Sequence, residues 1–200
     1  MTKKELVMSL YKIGAIKFGK FTFKSGIVSP NYVDLRVLVS YPKVLSEVGK
    51  SYVPLLKKLS FDRMAGIPYA ALPIIAAVGF HNHKPWMYTR KEAKNYGTKK
   101  LIEGEYKKGD KVVLIDDVIT TGLSKIEVLK PLESEGLKIK DIVVYIDREQ
   151  GGREELEAKG YRLHSVVRLS EVFKLLHQEG ILSDTQLQEN LNSLKTRKSL

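Results

Sequence analysis

The chain has 200 residues, 43% of them hydrophobic and 28% charged, with 34 Lys or Arg against 23 Asp or Glu and a formal net charge of +11. This is ordinary globular usage, with length enough for one domain and a proper core. The absence of cysteine excludes a disulfide framework, a thiol nucleophile and cysteine zinc sites, and fits a reducing compartment.

No stretch approaches the ~20 apolar residues of a membrane helix, and the first twenty residues hold no signal-peptide core. The expectation is a cytoplasmic protein with no membrane partner. "TKKE" at 2–5 reads as a capping box opening a helix with Leu6, Leu10 and Ile13 at helical spacing. "KFTFKSG" suggests a short strand and hairpin, and "NYVDLR" at 31–36 alternates as a strand. Ser40 and Pro42 open a helix predicted to run to about Leu59, with Pro54 as a point of kinking.

From residue 63 strands and helices alternate. "RMAGI", "PWMYTR", "KVVLID", "DIVVYID" and "RLHSVVRL" read as strands. "LPIIAAVGF", residues 124–135, "REELEAKG" and "SEVFKLLHQEG" read as helices, and a polar helix over about 183–197 closes the chain. This order predicts βαβ units, an α/β fold with a largely parallel sheet and helices on both faces. The unbroken runs "VVLI" and "IVVYI" fit strands buried on both sides. No repeat or linker interrupts the pattern, so one domain over 1–200 is expected.

Part of the positive charge is concentrated. Residues 90–111 hold eight Lys or Arg and four acids, a net of +4. No interleaved aromatic pattern or helix-turn-helix signal accompanies them, so nucleic acid is not the expected partner. A small substrate bearing several phosphates explains the charge better. The loop predicted at 91–108 is long for a compact domain, which marks it as functional or disordered.

The most informative stretch is "VVLIDDVITTGLS" at 112–124. An apolar strand ends at Asp116 and Asp117, where an open α/β sheet binds its ligands. Val118 and Ile119 then lead to Thr120, Thr121, Gly122, Leu123 and Ser124, a turn into a helix N-terminus. Backbone N–H groups, the helix dipole and the hydroxyls make such a turn an anion site, and Gly122 permits close approach. Two carboxylates would repel a bare phosphate, so something must lie between. A ribose 5-phosphate satisfies both halves, its hydroxyls donating to the acids and its phosphate in the turn. A nearby Mg2+ would offset the remaining charge.

An apolar strand, two acids and "VITTGLS" resemble the signature of type I phosphoribosyltransferases, which transfer ribose 5-phosphate from phosphoribosyl pyrophosphate (PRPP) to a base. "FTFKSGIVSPNYVDLR" at 21–36, "RKEAKNYGT" at 90–98 and "DREQGG" at 147–152 further resemble orotate phosphoribosyltransferase, over roughly residues 5–175. "YGTKKLIEG" and "DREQGGREEL" are most similar to the transferase half of fused UMP synthases; the expectation is the transferase half without the decarboxylase barrel.

The resemblance implies a mostly parallel sheet, a small N-terminal hood and a mobile catalytic loop. It implies orotate held by Arg148, Lys24, Thr120 and the backbone of Tyr32 and Val33. It implies PRPP held by residues 116–124 with Tyr69, Lys24 and Tyr96. Arg90, Lys91 and Lys94 would neutralise the departing pyrophosphate. Mg2+ would arrive with PRPP, beside Asp116 or Asp117. A homodimer sharing the loop across subunits is implied, and a separate orotidine monophosphate decarboxylase is an open partner.

The chain departs from the family pattern in two places. "YAALP" has Ala70 where many members carry lysine, and Tyr96 stands where many have histidine. Two rival readings remain at this level: a transferase for another base, and a non-catalytic PRPP-binding regulator of nucleic acid.

Overall fold

The computed structural model describes residues 1–22, 26, 28–90 and 101–195. The predicted capping box forms: Glu5 donates its N–H to the Thr2 hydroxyl at 3.3 Å, and Thr2 N–H reaches Glu5 Oε2 at 2.8 Å. These bonds open helix α1, Lys3–Lys12. Strands β1 (Ile16–Thr22) and β2 (Val28–Val33) pair antiparallel as a separate two-stranded ribbon, with Lys17 opposite Tyr32. The strand predicted over 31–36 stops at Val33, because Asp34 caps a 3-10 turn over Leu35–Ser40 by accepting the Arg36 N–H. The Arg36 guanidinium also grips Asp34, at 2.6 and 2.7 Å. Helix α2 runs Pro42–Leu56, with Pro54 in its last turn.

The main sheet is built from β3 (Arg63–Gly66), β4 (Trp86–Thr89), β5 (Ile102–Glu103), β6 (Lys111–Ile119), β7 (Lys138–Asp147) and β8 (Arg162–Arg168). Its order is β5-β4-β3-β6-β7-β8. All neighbours are parallel except the edge pair β4–β5. Strand β5 falls inside the segment predicted as loop at 91–108; residues 91–100 lie outside the described residues.

Helices α3 (Ala71–Asn82), α4 (Leu123–Ser134), α5 (Gly152–Ala158), α6 (Leu169–Gln178) and α7 (Asp184–Lys195) complete the chain. Two apolar cores result. Val113 and Ile115 of β6 face one core, with α1, α2, α3 and α6; Val112 and Leu114 face the other, with α4 and α5. This alternation is the period-two geometry of a strand covered on both sides. Among the described residues no helix is long and apolar enough to cross a membrane.

The order places β3 between β4 and β6. The chain leaves β3 toward one edge and later returns to its other side, so the connections after β3 and β6 diverge. Between them, at the carboxyl ends, opens the crevice where such sheets bind ligands.

Helices α2 and α3 meet at Gly49, where a methyl group would lie 2.7 Å from the Ala77 backbone. Gly49→Ala should therefore force the helices apart and lower unfolding free energy by about 1–3 kcal/mol, read from urea denaturation. An unchanged midpoint would show that the contact yields without strain.

Candidate active site

Strand β6 carries the acids further than the sequence suggests. It continues through Asp116 and Asp117 to Ile119, so Val118 and Ile119 belong to the strand and not to an anion-binding turn. The Ile119 side chain is buried in the α4–α5 core, and its carbonyl accepts the Arg148 N–H at 3.0 Å. The turn itself is Thr120, Thr121 and Gly122, the last at φ 84° as the α4 N-cap. Leu123 and Ser124 open the first turn of α4, where the leading backbone N–H groups of a helix lack intrahelical acceptors and can serve an anion.

The two acids are not equivalent. Asp116 is 4% exposed and forms a close ion pair with Lys125, itself 5% exposed. Lys125 Nζ also donates to the Val118 carbonyl at 2.7 Å. Asp116 Oδ1 accepts the Asp117 N–H at 2.9 Å, and the Asp116 carbonyl accepts the Tyr52 hydroxyl from α2 at 2.8 Å. Asp116 is thus engaged by a lysine that the motif reading missed. Asp117 remains partly buried at the strand end, with Oδ1 accepting the Val118 N–H. Burial, and next the Asp116 carboxylate, push its pKa up to about 7.

Around this turn the other elements converge. A cavity of about 660 Å³ is lined by Ile67 and Pro68 after β3, Thr89 and Arg90 at the end of β4, Leu101, and Ser124, Glu127, Val128 and Pro131 of α4. Arg90 reaches Glu103 of β5 at 3.0 Å, which fixes the guanidinium at the cavity edge. Tyr69, in the turn after β3, is 67% exposed.

Arg148 follows β7 and is buried. Its turn is strapped: Asp147 accepts the Glu149 N–H at 2.8 Å and pairs with Arg153 at 3.1 Å, and Glu149 accepts the Ser170 N–H at 2.9 Å. Gly152 closes the turn against β6, where a methyl group would lie 2.6 Å from the Thr120 carbonyl oxygen. The Arg148 and Thr120 turns are thus packed directly together.

From the ribbon, Tyr32 and Val33 end β2, and the Tyr32 hydroxyl accepts from Arg36 at 3.1 Å. Buried Asn31 accepts from Arg148 Nη2 at 3.3 Å, so the ribbon and the β7 turn meet. Lys24, Lys91, Lys94 and Tyr96 lie outside the described residues. Among the described residues no cluster of three or more His, Asp or Glu is placed to hold a metal ion.

Comparison with known proteins agrees with this arrangement. The phosphoribosyl transferase domain family matches residues 65–175. The orotate phosphoribosyltransferase of Pyrococcus abyssi is 40% identical over 174 residues, 86% of this chain and 96% of that protein. The chain belongs to the orotate phosphoribosyltransferase family. The bifunctional enzyme PyrF/PyrE of Nostoc sp. is 44% identical over 182 residues, covering 91% of this chain and 38% of the relative. The solved UMP synthase of Leishmania donovani superposes with a TM-score of 0.89 at 40% identity, covering 98% of this chain and 43% of that one. The chain therefore spans less than half the length of these two fused relatives.

Removing Lys125 should strand a buried carboxylate. Lys125→Met is expected to cost about 3–5 kcal/mol, much of it recovered in the Asp116→Asn/Lys125→Met double variant, by urea denaturation. Asp117 makes a pH prediction. A raised carboxyl pKa means that the fold holds the proton more tightly than the unfolded chain. Its contribution is present at low pH and is lost as pH climbs from 3.8 through about 7. Asp117→Asn should therefore melt higher than the parent at pH 8, by ~3 °C or more. At pH 4 the two should coincide; an equal offset at both values would refute the assignment.

Proposed function

We propose that the chain transfers the ribose 5-phosphate of PRPP to orotate, giving orotidine 5′-monophosphate and pyrophosphate, a step of pyrimidine nucleotide synthesis. The observation that carries this is the packing of the Thr120–Gly122 turn, an anion site at a helix N-terminus, against a turn that presents a buried arginine. One site suits a sugar phosphate, the neighbouring one a carboxylated base.

In this reading the 5-phosphate accepts hydrogen bonds from the N–H groups and hydroxyls of residues 120–124, and Asp117 accepts from a ribose hydroxyl. Asp116 and Lys125 hold that strand end in place. Orotate lies between Arg148, which faces its carboxylate, and the β2 end, with Thr120 and Lys24 completing the pocket. Its ring nitrogen attacks C1 as the C1–O bond breaks, the sugar becomes oxocarbenium-like, and charge accumulates on pyrophosphate.

Arg90, Lys91 and Lys94 would supply preorganised positive charge there, often the largest catalytic contribution. Tyr69 and Tyr96 would contribute to the same PRPP groups. Mg2+ would be carried by PRPP, with Asp116 or Asp117 nearby; one or two carboxylates plus substrate phosphates are its usual protein environment. When bound it offsets phosphate charge. A homodimer sharing the 91–108 segment belongs to the same proposal.

The test is turnover of orotate with PRPP and Mg2+, followed by orotate absorbance, with hypoxanthine, adenine and uracil in parallel. Consumption of orotate alone is expected, and turnover of a purine instead would overturn the base assignment. Arg148→Ala should raise KM for orotate by ~10-fold or more, and Lys94→Ala should cut kcat by ~10²-fold or more while product affinity stays near that of the parent. Lost product affinity with near-normal turnover would contradict the role of Lys94.

A further inference from the structure

The C-terminal helix reaches the base pocket through a buried chain of amides. Asn31 of β2 is 1% exposed and Asn190 of α7 is 2% exposed. Arg148 Nη2 donates to Asn31 Oδ1 at 3.3 Å, Asn31 Nδ2 donates to Asn190 Oδ1 at 2.9 Å, and Asn190 Nδ2 donates to the Gln186 carbonyl at 2.8 Å. Ser193 Oγ lies 3.5 Å from Asn31 Nδ2 and donates to the Asn190 carbonyl at 2.7 Å.

Both ends of this chain have fixed polarity. A guanidinium only donates, and a backbone carbonyl only accepts. Each amide between them therefore has one orientation: Asn31 must show oxygen to Arg148, so its NH2 faces Asn190, whose own NH2 faces Gln186. Rotating either amide would set donor against donor or acceptor against acceptor in a dry interior, where that is costly.

The position of Asn190 does not favour an amide for stability. Its neighbours on α7 are Leu187, Leu191 and Leu194, all packed on the α1–α2–α3–α6 core. A leucine at 190 would continue that stripe. The amide interrupts it: its NH2 is anchored on the Gln186 carbonyl of its own helix, and its oxygen accepts from Asn31, which in turn accepts from Arg148. Asn31 and Asn190 both lie outside residues 65–175, the part matched by the domain family.

We propose that Asn190 is a positioning residue for the base site: acting through Asn31, it fixes the Arg148 guanidinium in the orientation that receives the orotate carboxylate. The proposal rests on the reading of Arg148 given above. It makes α7 part of base recognition.

The experiment is steady-state kinetics of the full chain, varying orotate and PRPP separately, for the parent, Asn190→Leu, Asn31→Ala and the double variant. Asn190→Leu is expected to raise KM for orotate about 5–10-fold, with kcat and KM for PRPP within about twofold; the Asn31 NH2 loses its acceptor, so the variant should melt somewhat lower than the parent while remaining folded at the assay temperature. In the Asn31→Ala background the same change should add less than about twofold, because the relay is already cut. Three results would each overturn the proposal: an unchanged KM for orotate, an equal rise in KM for PRPP, or full additivity of the two substitutions. If Asn190→Leu does not fold, Asn190→Ala is measured in its place; unfolding of both would make Asn190 a stability residue and overturn the positioning role. A parent that binds PRPP but does not convert orotate would instead defeat the reading of Arg148, and this inference with it.

Discussion

The ion pair between Asp116 and Lys125 is the constraint on which the site depends. It joins the end of the central strand to the first turn of the helix that follows, with both charges out of water. Such a pair contributes little net stability over a well-packed apolar substitute, but breaking it leaves a costly buried charge. What it supplies is position. Lys125 also holds the Val118 carbonyl, so strand end and helix start are fixed relative to each other, and the three-residue turn between them has little freedom. A turn proposed to aim several N–H groups at one phosphate would benefit from that rigidity.

The sheet order supplies the second constraint. With β3 flanked by β4 and β6, the turns after β3 and β6 part from one another and leave a crevice with Arg90 at its edge. The ribbon β1–β2 then covers the neighbouring strand end, because Asn31 reaches Arg148. The turns after β6 and β7 are thereby brought to adjacent strand ends, as the proposed placing of sugar phosphate and base requires.

Much of this was legible in the sequence, for reasons that differ by element. The β6 run and the alternation of strands with helices follow from burial on two faces, and the Thr2 capping box from local hydrogen bonding. Local pattern failed where tertiary contacts decide. The end of β2 was overrun because Asp34 satisfies a backbone N–H and stops the strand. Strand β5 was hidden in a charged segment, since two residues on an edge need no apolar pattern.

Lys125 was missed although a signal existed: it stands on the buried stripe with Leu129 and Leu132, a charge at an apolar position of a helix. Asn190 breaks the leucine stripe of α7 in the same way. A polar residue at a core position of an amphipathic helix was the readable clue in both cases. Its partner was not readable, because partners 9 and 159 residues away are set by the fold.

The contact between Gly152 and Thr120 has a consequence for redesign. A side chain at 152 would occupy the space of the Thr120 carbonyl, so the two recognition turns share one wall with no slack between them. Grafting a foreign β7 turn to accept a different base would also press on the phosphate turn unless the graft kept a glycine at that point. The turns after β6 and β7 are in this sense a single mechanical part, and lineages that change one are expected to retain the glycine or move both.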